Sequence, residues 1–317
     1  MKKSIRSNFL ALVLLIVLFS GCAPVPAPTP TLAPPTFTPS PIPATFTPVP
    51  TATATSIPSP TPLPGSVVLP VDTLGKNIPW LPLDKTARPA VNYVVFNTLI
   101  PPFNSPLVRQ AFASAIDRDI LVEMATKYKS QNAKHATTFT PPETLGRDLY
   151  GEVGTGFDPK MAKDLLTQAG YTDTSVFPPV VFLVNAYGDT APGARFNIAS
   201  AMADMWQTNL GVTVEVQVVA KFKDYGSRIK TNPPELFWMG WVAESNDPDN
   251  FLQEVFHSSS QYNYGKFSNS EFDKLVDRAA TSNDPAKRQE LYIQAERILS
   301  ETEAAMLPIF HSTYNIP

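Results

Sequence analysis

Hydrophobic positions along the chain fall into two kinds of run, and the two kinds alternate. Short apolar or alternating runs of roughly four to eight residues predict β-strands. They occur at Val91–Asn97, Val180–Val184, Val212–Val219, Leu236–Met239 and Leu307–Phe310. Longer segments between them have apolar residues three or four positions apart, which predicts helices. Strands that alternate with helices indicate an α/β fold in which a sheet is flanked by helices.

The expected helices are marked by residues typical of helix ends. Ser105-Pro106, Asp158-Pro159 and Asp247-Pro248 each place a capping residue before a proline, which predicts a helix start. Asp117 predicts another start, and Gly170 predicts an end, because glycine readily adopts the left-handed conformation that closes a helix. Further helices are predicted at Phe196–Leu210, Phe222–Ile229, Asp249–Phe256, Glu271–Ala280 and Pro285–Ser300.

One strand–loop–helix segment combines aromatic area with negative charge. Its apolar strand ends at Gly240 and Trp241, and three carboxylates follow at Glu244, Asp247 and Asp249. Ligand sites of open α/β sheets lie beyond the carboxyl ends of strands, so this loop is a candidate site. The alternative is structural, with the tryptophans in the core, Asp247 as helix cap and Asp249 facing the helix dipole. Glu244 has no evident structural role.

The N-terminus has the pattern of an exported lipoprotein. Met1–Cys22 contains three basic residues and then the apolar run Phe9–Phe19, which predicts a secretory signal peptide. This run is too short to span a membrane comfortably. Ser20-Gly21 before Cys22, the only cysteine, resembles a bacterial lipobox, so we expect Cys22 to be lipidated and to anchor the protein to the extracytoplasmic face of the membrane. The alternative is an ordinary signal peptide with an incidental cysteine.

Residues 23–65 have the composition of a linker. They contain 15 of the 34 prolines, 10 threonines and no charge, so they cannot bury a core and favour an extended, disordered chain. At about 3.1 Å per residue this tether reaches on the order of 130 Å. The folded domain is expected at residues 66–317. Beyond the signal peptide, 22 basic and 28 acidic residues leave a net charge of −6 without a basic stripe, which argues against a nucleic-acid partner.

The sequence contains no motif for nucleophilic catalysis, for a zinc hydrolase, or for phosphate or dinucleotide binding. The histidines His135, His257 and His311 lie far apart, and none has a second ligand at metal spacing. We therefore expect no metal, no cofactor and no enzymatic activity. A hydrolase that uses Glu244 and Asp247 as its carboxylates is the enzymatic alternative.

The candidate loop also carries a family resemblance. Gly240-Trp241, Glu244 and the run Asp247–Phe251 resemble the peptide-pocket segment of extracytoplasmic solute-binding proteins of family 5, the oligopeptide, dipeptide and nickel receptors of ABC importers. Similar pieces occur in family order across the chain: Pro106–Phe112, Ala115–Arg118, Phe157–Pro159, Ala169–Tyr171, Asn209–Val212, Phe272-Asp273 and Leu291-Tyr292. The resemblance implies a type II periplasmic-binding-protein-like lobe, with a mixed sheet flanked by helices.

The resemblance also implies a function and the residues that perform it. A receptor of this family captures a peptide or related solute and delivers it to the subunits of an ABC permease. The strand that ends at Gly240, Trp241 and Val242 would pair with the extended peptide backbone, which is a form of β-augmentation. Glu244 would hold the α-ammonium group, where the family commonly has Asp, and Asp247 belongs to the same ligand-binding loop.

The chain departs from the family pattern in length. Family members place a large first lobe before the segment that corresponds to Tyr93–Asn97, and here only about 27 residues separate the linker from Tyr93. The sequence therefore resembles the C-terminal lobe alone. This leaves a second hypothesis, in which the lobe is an interaction module that pairs with another protein, such as a separate first lobe.

Overall fold

The computed structural model describes residues 87–130, 132–186, 189 and 191–315. The predicted signal peptide, the lipidation site Cys22 and the Pro/Thr-rich linker lie outside these residues and stay predictions. The expected domain start at Ser66 lies outside them as well. Within the described part of the chain, no helix combines the length and the apolar character needed to cross a bilayer.

In the part of the chain that the structure describes, six strands form one mixed sheet. They are β1 Ala87–Phe96, β2 Lys134–His135, β3 Val180–Asn185, β4 Val214–Val219, β5 Leu236–Val242 and β6 Met306–Asn315. Their order in the sheet is β2-β6-β1-β5-β3-β4. β1 is antiparallel to β5 and β6, and β2 is antiparallel to β6, whereas β3 is parallel to β4 and β5. The strand of the candidate site, β5, therefore lies inside the sheet.

Eight α-helices accompany the sheet in the described residues. They are α1 Pro106–Ser114, α2 Arg118–Lys127, α3 Pro142–Leu145, α4 Pro159–Gln168, α5 Ala194–Leu210, α6 Phe222–Thr231, α7 Ser270–Thr281 and α8 Pro285–Arg297. The predicted caps of α2 and α4 are confirmed, because the carboxylates of Asp117 and Asp158 accept backbone N–H groups of the first turn. Ser105 precedes α1 as predicted, but its side chain makes no capping hydrogen bond.

Each face of the sheet has its own hydrophobic core. Helices α1, α2, α4 and α5 cover one face, where the buried Trp206 donates its Nε1–H to the Phe112 carbonyl at 2.9 Å. Helices α6, α7 and α8 cover the other face. Successive residues of β5 alternate between them, with Trp238 in the first core and Phe237 in the second. Complete burial of a Phe contributes on the order of 2 kcal/mol, so these two cores dominate the stability of the fold.

The structure differs from the sequence prediction around the candidate loop. Instead of an α-helix at Asp249–Phe256, a 3₁₀ turn at Pro248–Asn250 is followed by a π-helical turn at Leu252–Phe256. The end of the last predicted helix is also a π-helical turn, Ile298–Thr302. Phe251, Leu252, Val255 and Phe256 are all buried, so tertiary packing determines this backbone in place of the regular helical period. Strand β5 is longer than predicted and includes Gly240 to Val242.

Candidate functional site

The second half of β5 has one side that no described strand covers. β1 pairs with β5 along its whole length, up to the pair Ala90↔Val242. On the opposite side, the described part of β3 pairs with β5 through Phe182↔Leu236 and Leu183↔Phe237 alone. The two parallel strands therefore separate after Phe237, which leaves a gap beside the strand end that carries Gly240.

Backbone alternation determines which groups of β5 face this gap. Ala243 donates its N–H to Pro89 at 2.9 Å, and Asn97 donates to Glu235 at 3.0 Å. Odd-numbered residues of β5 therefore bond to β1, and the N–H and C=O groups of Gly240 and Val242 point to the other side. The nearest carbonyl on that side, that of Trp238, already accepts the Tyr225 hydroxyl.

Gly240 leaves this strand edge open to the approach of another chain. It is exposed, and an added Cβ would lie 3.7 Å from Asn92 Oδ1 and 3.8 Å from the Val91 carbonyl, which is ordinary van der Waals contact. The packing of the described residues therefore does not require glycine here. A position where a second backbone comes close is a common reason for a glycine inside a strand.

The two tryptophans of β5 have different environments. Trp238 is a core residue, and it donates its Nε1–H to Asn92 Oδ1 at 3.2 Å. Trp241 is only partly buried, on the opposite face, where its ring meets Tyr262 edge-on with centroids 5.1 Å apart. Its Nε1 is shielded from solvent and has no acceptor among the described residues. Trp238 is thus in the core, as the structural alternative predicted for both tryptophans, whereas Trp241 borders the candidate site.

Glu244 is exposed at the start of the loop that follows β5. Its backbone N–H donates to Asn250 Oδ1 at 2.8 Å, while its carboxylate makes no hydrogen bond with a described residue. The same Asn250 side chain donates to Glu254 Oε2. Burial, and then repulsion from Glu244, raises the pKa of Glu254. The loop therefore places two carboxylates near each other, of which only Glu244 was predicted from the sequence.

Asp247 is largely buried and supports the loop, and its predicted contact with the ligand stays a prediction. Its side chain is 7% exposed. It caps the 3₁₀ turn by accepting the Asp249 N–H at 2.9 Å, and it receives Arg288 Nη1 at 2.5 Å and Nη2 at 2.9 Å. A bidentate pair of this kind fixes orientation as well as charge. Because both oxygens are engaged, Asp247 is no free second carboxylate for a hydrolase.

Two open grooves adjoin Tyr262. One, of about 670 Å³, is lined by Gln253, Glu254, His257, Ser259, Ser260, Gln261, Tyr262 and Asp277. The other, of about 610 Å³, is lined by Asn97, Leu99, Ile100, Ile229, Lys230, Thr231, Asn232, Pro233, Gln261, Tyr262, Tyr264 and Lys266. They share Gln261 and Tyr262, and the Tyr262 ring connects them to Trp241. No pattern in the sequence predicted a role for Tyr262, which lies in a loop distant from β5 in the chain.

The three histidines have separate partners. His135 Nδ1 lies 2.6 Å from Asp119 Oδ1, His257 Nδ1 lies 2.7 Å from Ser259 Oγ, and His311 Nε2 donates to the Thr138 carbonyl at 2.9 Å. Among the described residues, no three His, Cys, Asp or Glu side chains come together as a metal site. The candidate site therefore offers a strand edge, an aromatic wall and carboxylates.

Comparisons with known proteins find a matching family model and related chains. The family model for bacterial extracellular solute-binding proteins, family 5 (middle region), matches residues 63–263. Heme-binding protein A of Haemophilus influenzae is 30% identical over 224 residues, 70% of this chain and 39% of that protein. The periplasmic oligopeptide-binding protein OppA of Escherichia coli is 30% identical over 223 residues, 69% of this chain and 39% of that protein.

Solved structures give the same result. The murein tripeptide binding protein MppA of Escherichia coli has a TM-score of 0.59 and 28% identity, over 77% of this chain and 46% of that chain. The predicted fold class, a periplasmic-binding-protein-like lobe with a mixed sheet flanked by helices, is confirmed. These relatives are binding proteins and not enzymes. The chain spans about two fifths of the length of the curated relatives it matches, as expected for one lobe.

Proposed function

Because the chain belongs to the bacterial extracellular solute-binding proteins of family 5, we propose that it captures a peptide or related solute for an ABC importer. The observation that carries this proposal is the open side of β5 at Gly240 and Val242. OppA and MppA are named as oligopeptide- and tripeptide-binding proteins, and an extended peptide is the ligand that suits a free strand edge.

The peptide backbone would add a strand beside β5. Two residues of β5 offer two N–H donors and two C=O acceptors on that side, and each hydrogen bond contributes on the order of 1 kcal/mol. Backbone pairing of this kind is largely independent of the peptide sequence, whereas Trp241 and Tyr262 supply an aromatic surface for a side chain. Affinity would then come from the strand edge and selectivity from its surroundings.

Glu244 would anchor the amino terminus of the peptide. Its carboxylate is exposed, lies just beyond the pairing strand and has no hydrogen-bond partner among the described residues. A charge-assisted hydrogen bond to an α-ammonium contributes on the order of 1.5–3 kcal/mol. Asp247 would act indirectly, by holding the loop through Arg288.

The cellular setting is part of the proposal. Lipidated Cys22 would hold the protein on the outer side of the cell membrane, and the uncharged linker would let the lobe reach the permease. Labelling of growing cells with a radioactive or clickable fatty acid tests this directly, since a Cys22→Ala variant would take up no label.

Titration calorimetry of the full chain with alanine tripeptide tests capture of the ligand. Binding by the wild type, a loss of about tenfold or more in affinity for Glu244→Gln, and an unchanged Glu123→Gln control are expected. Glu123 is a matched control because it is exposed on α2, a helix of the opposite core. A tripeptide with an acetylated amino terminus should bind wild type and Glu244→Gln equally. The absence of heat for every peptide, with the protein folded, would refute autonomous capture and favour the interaction-module hypothesis.

A further inference from the structure

Strand β4 forms one edge of the described sheet. It lies last in the strand order, and it pairs along its whole length with β3. Natural edge strands are usually protected from association by a proline, a bulge or charged side chains. β4 contains no proline, its pairing with β3 is regular, and Glu215 is its only charged residue. The outer side of β4 is therefore able to accept a further strand.

The hydrogen bonds of β4 show which of its residues point outwards. Ala186 donates its N–H to the Val219 carbonyl at 3.3 Å, so the odd-numbered residues of β4 bond to β3. The backbone groups of the even-numbered Val216 and Val218 therefore face away from the sheet, and no described residue bonds to them. Lys221, just beyond the strand, is also extended, with φ −96° and ψ 126°, so the alternation continues to the start of α6.

The side chains along this edge are exposed and complementary in charge to a reversed copy of themselves. Val218 is 47% exposed, although it is an apolar residue in the middle of the edge. Glu215 and Lys221 are exposed and, as odd-numbered residues, lie on the opposite face of the sheet from Val218. Gln217 donates its Nε2–H to Glu215 Oε1 at 2.9 Å, which confirms that these two side chains share a face.

We propose that β4 pairs antiparallel with β4 of a second copy of this chain, with Val218 on the two-fold axis. Val218 then faces its own counterpart and Val216 faces Ala220, so outward-facing residues exchange N–H and C=O bonds. Glu215 lies opposite the second copy's Lys221 at a non-hydrogen-bonded position, where side chains are closest and opposite charges stabilise the pair. A shift of one residue sets outward-facing groups against inward-facing ones, and a shift of two loses the charge pair.

This pairing joins two sheets into one and does not depend on peptide capture. β3 separates the outer edge of β4 from the open side of β5, so both can be occupied at the same time. Copies held by the lipid proposed at Cys22 would share one membrane surface, which raises their effective concentration.

Cysteine cross-linking tests the register, because Cys22 is the only cysteine of the chain. In the full-length chain with Cys22→Ala, the substitution Val218→Cys places a thiol on the two-fold axis. The Cα atoms of a hydrogen-bonded antiparallel pair are about 5.5 Å apart, which a disulfide can span. We expect mild oxidation to give a cross-linked dimer, and at least about tenfold less of it for Thr213→Cys, which is exposed but distant from its counterpart in this register.

Charge reversal tests the ion pair by sedimentation equilibrium of the full-length chain. Glu215→Lys and Lys221→Glu should each weaken dimerisation about tenfold or more, since like charges then face each other at both ends of the pairing. An equal mixture of the two variants should recover the wild-type affinity as a heterodimer, because the lysines of one variant face the glutamates of the other. The control Glu123→Lys, at an exposed position of α2, should leave the dimer unchanged.

Three results would overturn the pairing. The first is a wild type that stays monomeric up to about 1 mM, which would also be the result if another segment of this chain covers β4. The second is a dimer that neither charge reversal weakens, which would place the contact on another surface. The third is cross-linking of Thr213→Cys as efficient as that of Val218→Cys.

Discussion

The ion pair between Asp247 and Arg288 should hold the candidate loop in place, and its contribution can be estimated from the structure. Asp247 is 7% exposed and Arg288 is 24% exposed. Breaking a fully buried pair costs about 3–5 kcal/mol, and an exposed pair contributes about 0.2–1 kcal/mol. For this half-buried, bidentate pair we expect a loss of about 2 kcal/mol. Loss of the helix cap adds about 1 kcal/mol, because Asp247 also accepts the Asp249 N–H.

Two substitutions separate these contributions. Asp247→Asn keeps a capping oxygen and removes the charge, so it should lower the free energy of unfolding by about 2 kcal/mol. Asp247→Ala removes the pair and the cap, so it should cost about 3 kcal/mol. A third substitution, Arg288→Met, removes the other partner of the ion pair. It also removes the hydrogen bond that the guanidinium donates to the Ala279 carbonyl at 3.1 Å.

Urea unfolding followed by tryptophan fluorescence measures these differences, and a double-mutant cycle isolates the pair. The coupling between Asp247→Asn and Arg288→Met should be about 2 kcal/mol. A coupling below about 0.5 kcal/mol would refute the reasoning, since it would mean that the two side chains contribute independently. Asp247→Asn should also weaken peptide binding although Asp247 does not line the grooves, because the Glu244 loop would lose its support.

Three further predictions concern the fold. Burial lowers the pKa of His311 to about 4, so below about pH 6.5 the imidazole is protonated in the unfolded state and stays neutral in the folded state. The free energy of unfolding should therefore fall by at most about 3 kcal/mol towards pH 4. His311→Gln should reduce this pH dependence, measured as the midpoint of urea unfolding. Gly265→Ala would place a Cβ 2.6 Å from Val95 Cγ1 and should cost about 1–3 kcal/mol, whereas Gly156→Ala, with nothing within 4 Å, should be nearly neutral in thermal unfolding. Trp206→Phe should lower stability by about 2 kcal/mol, and a change under about 0.5 kcal/mol would show that the bond to Phe112 contributes nothing.

The sequence was sufficient for the elements that depend on local signals. Periodicity predicted five of the six strands, and the cap residues Asp117 and Asp158 marked helix starts that the structure confirms. The two-residue strand β2 was missed because Lys134–His135 has too few residues to show a pattern. The π-helical turn at Leu252–Phe256 was missed because the burial of its side chains in one hydrophobic core determines its backbone conformation.

The candidate site could be predicted only in part. Gly240 to Glu244 are contiguous and carried a recognisable pattern, whereas Arg288 lies 41 positions after Asp247 and meets it only in the folded chain. The same holds for Tyr262, which contacts Trp241 through tertiary structure. The open side of β5 depends on the point at which β3 separates from β5, and no pattern of residues in the sequence predicts that point.

The divergence of β3 from β5 has a mechanical consequence. In the described residues, strand pairing between the β3–β4 half of the sheet and the β6–β1–β5 half is limited to two residue pairs. This junction should exchange its amide hydrogens faster than the continuous β1–β5 ladder, because fewer bonds must open together. A bound peptide strand would link the two halves, so ligand binding should slow exchange on both sides of the gap and raise the melting temperature with ligand concentration. The ligand would then act as the seventh strand of the sheet.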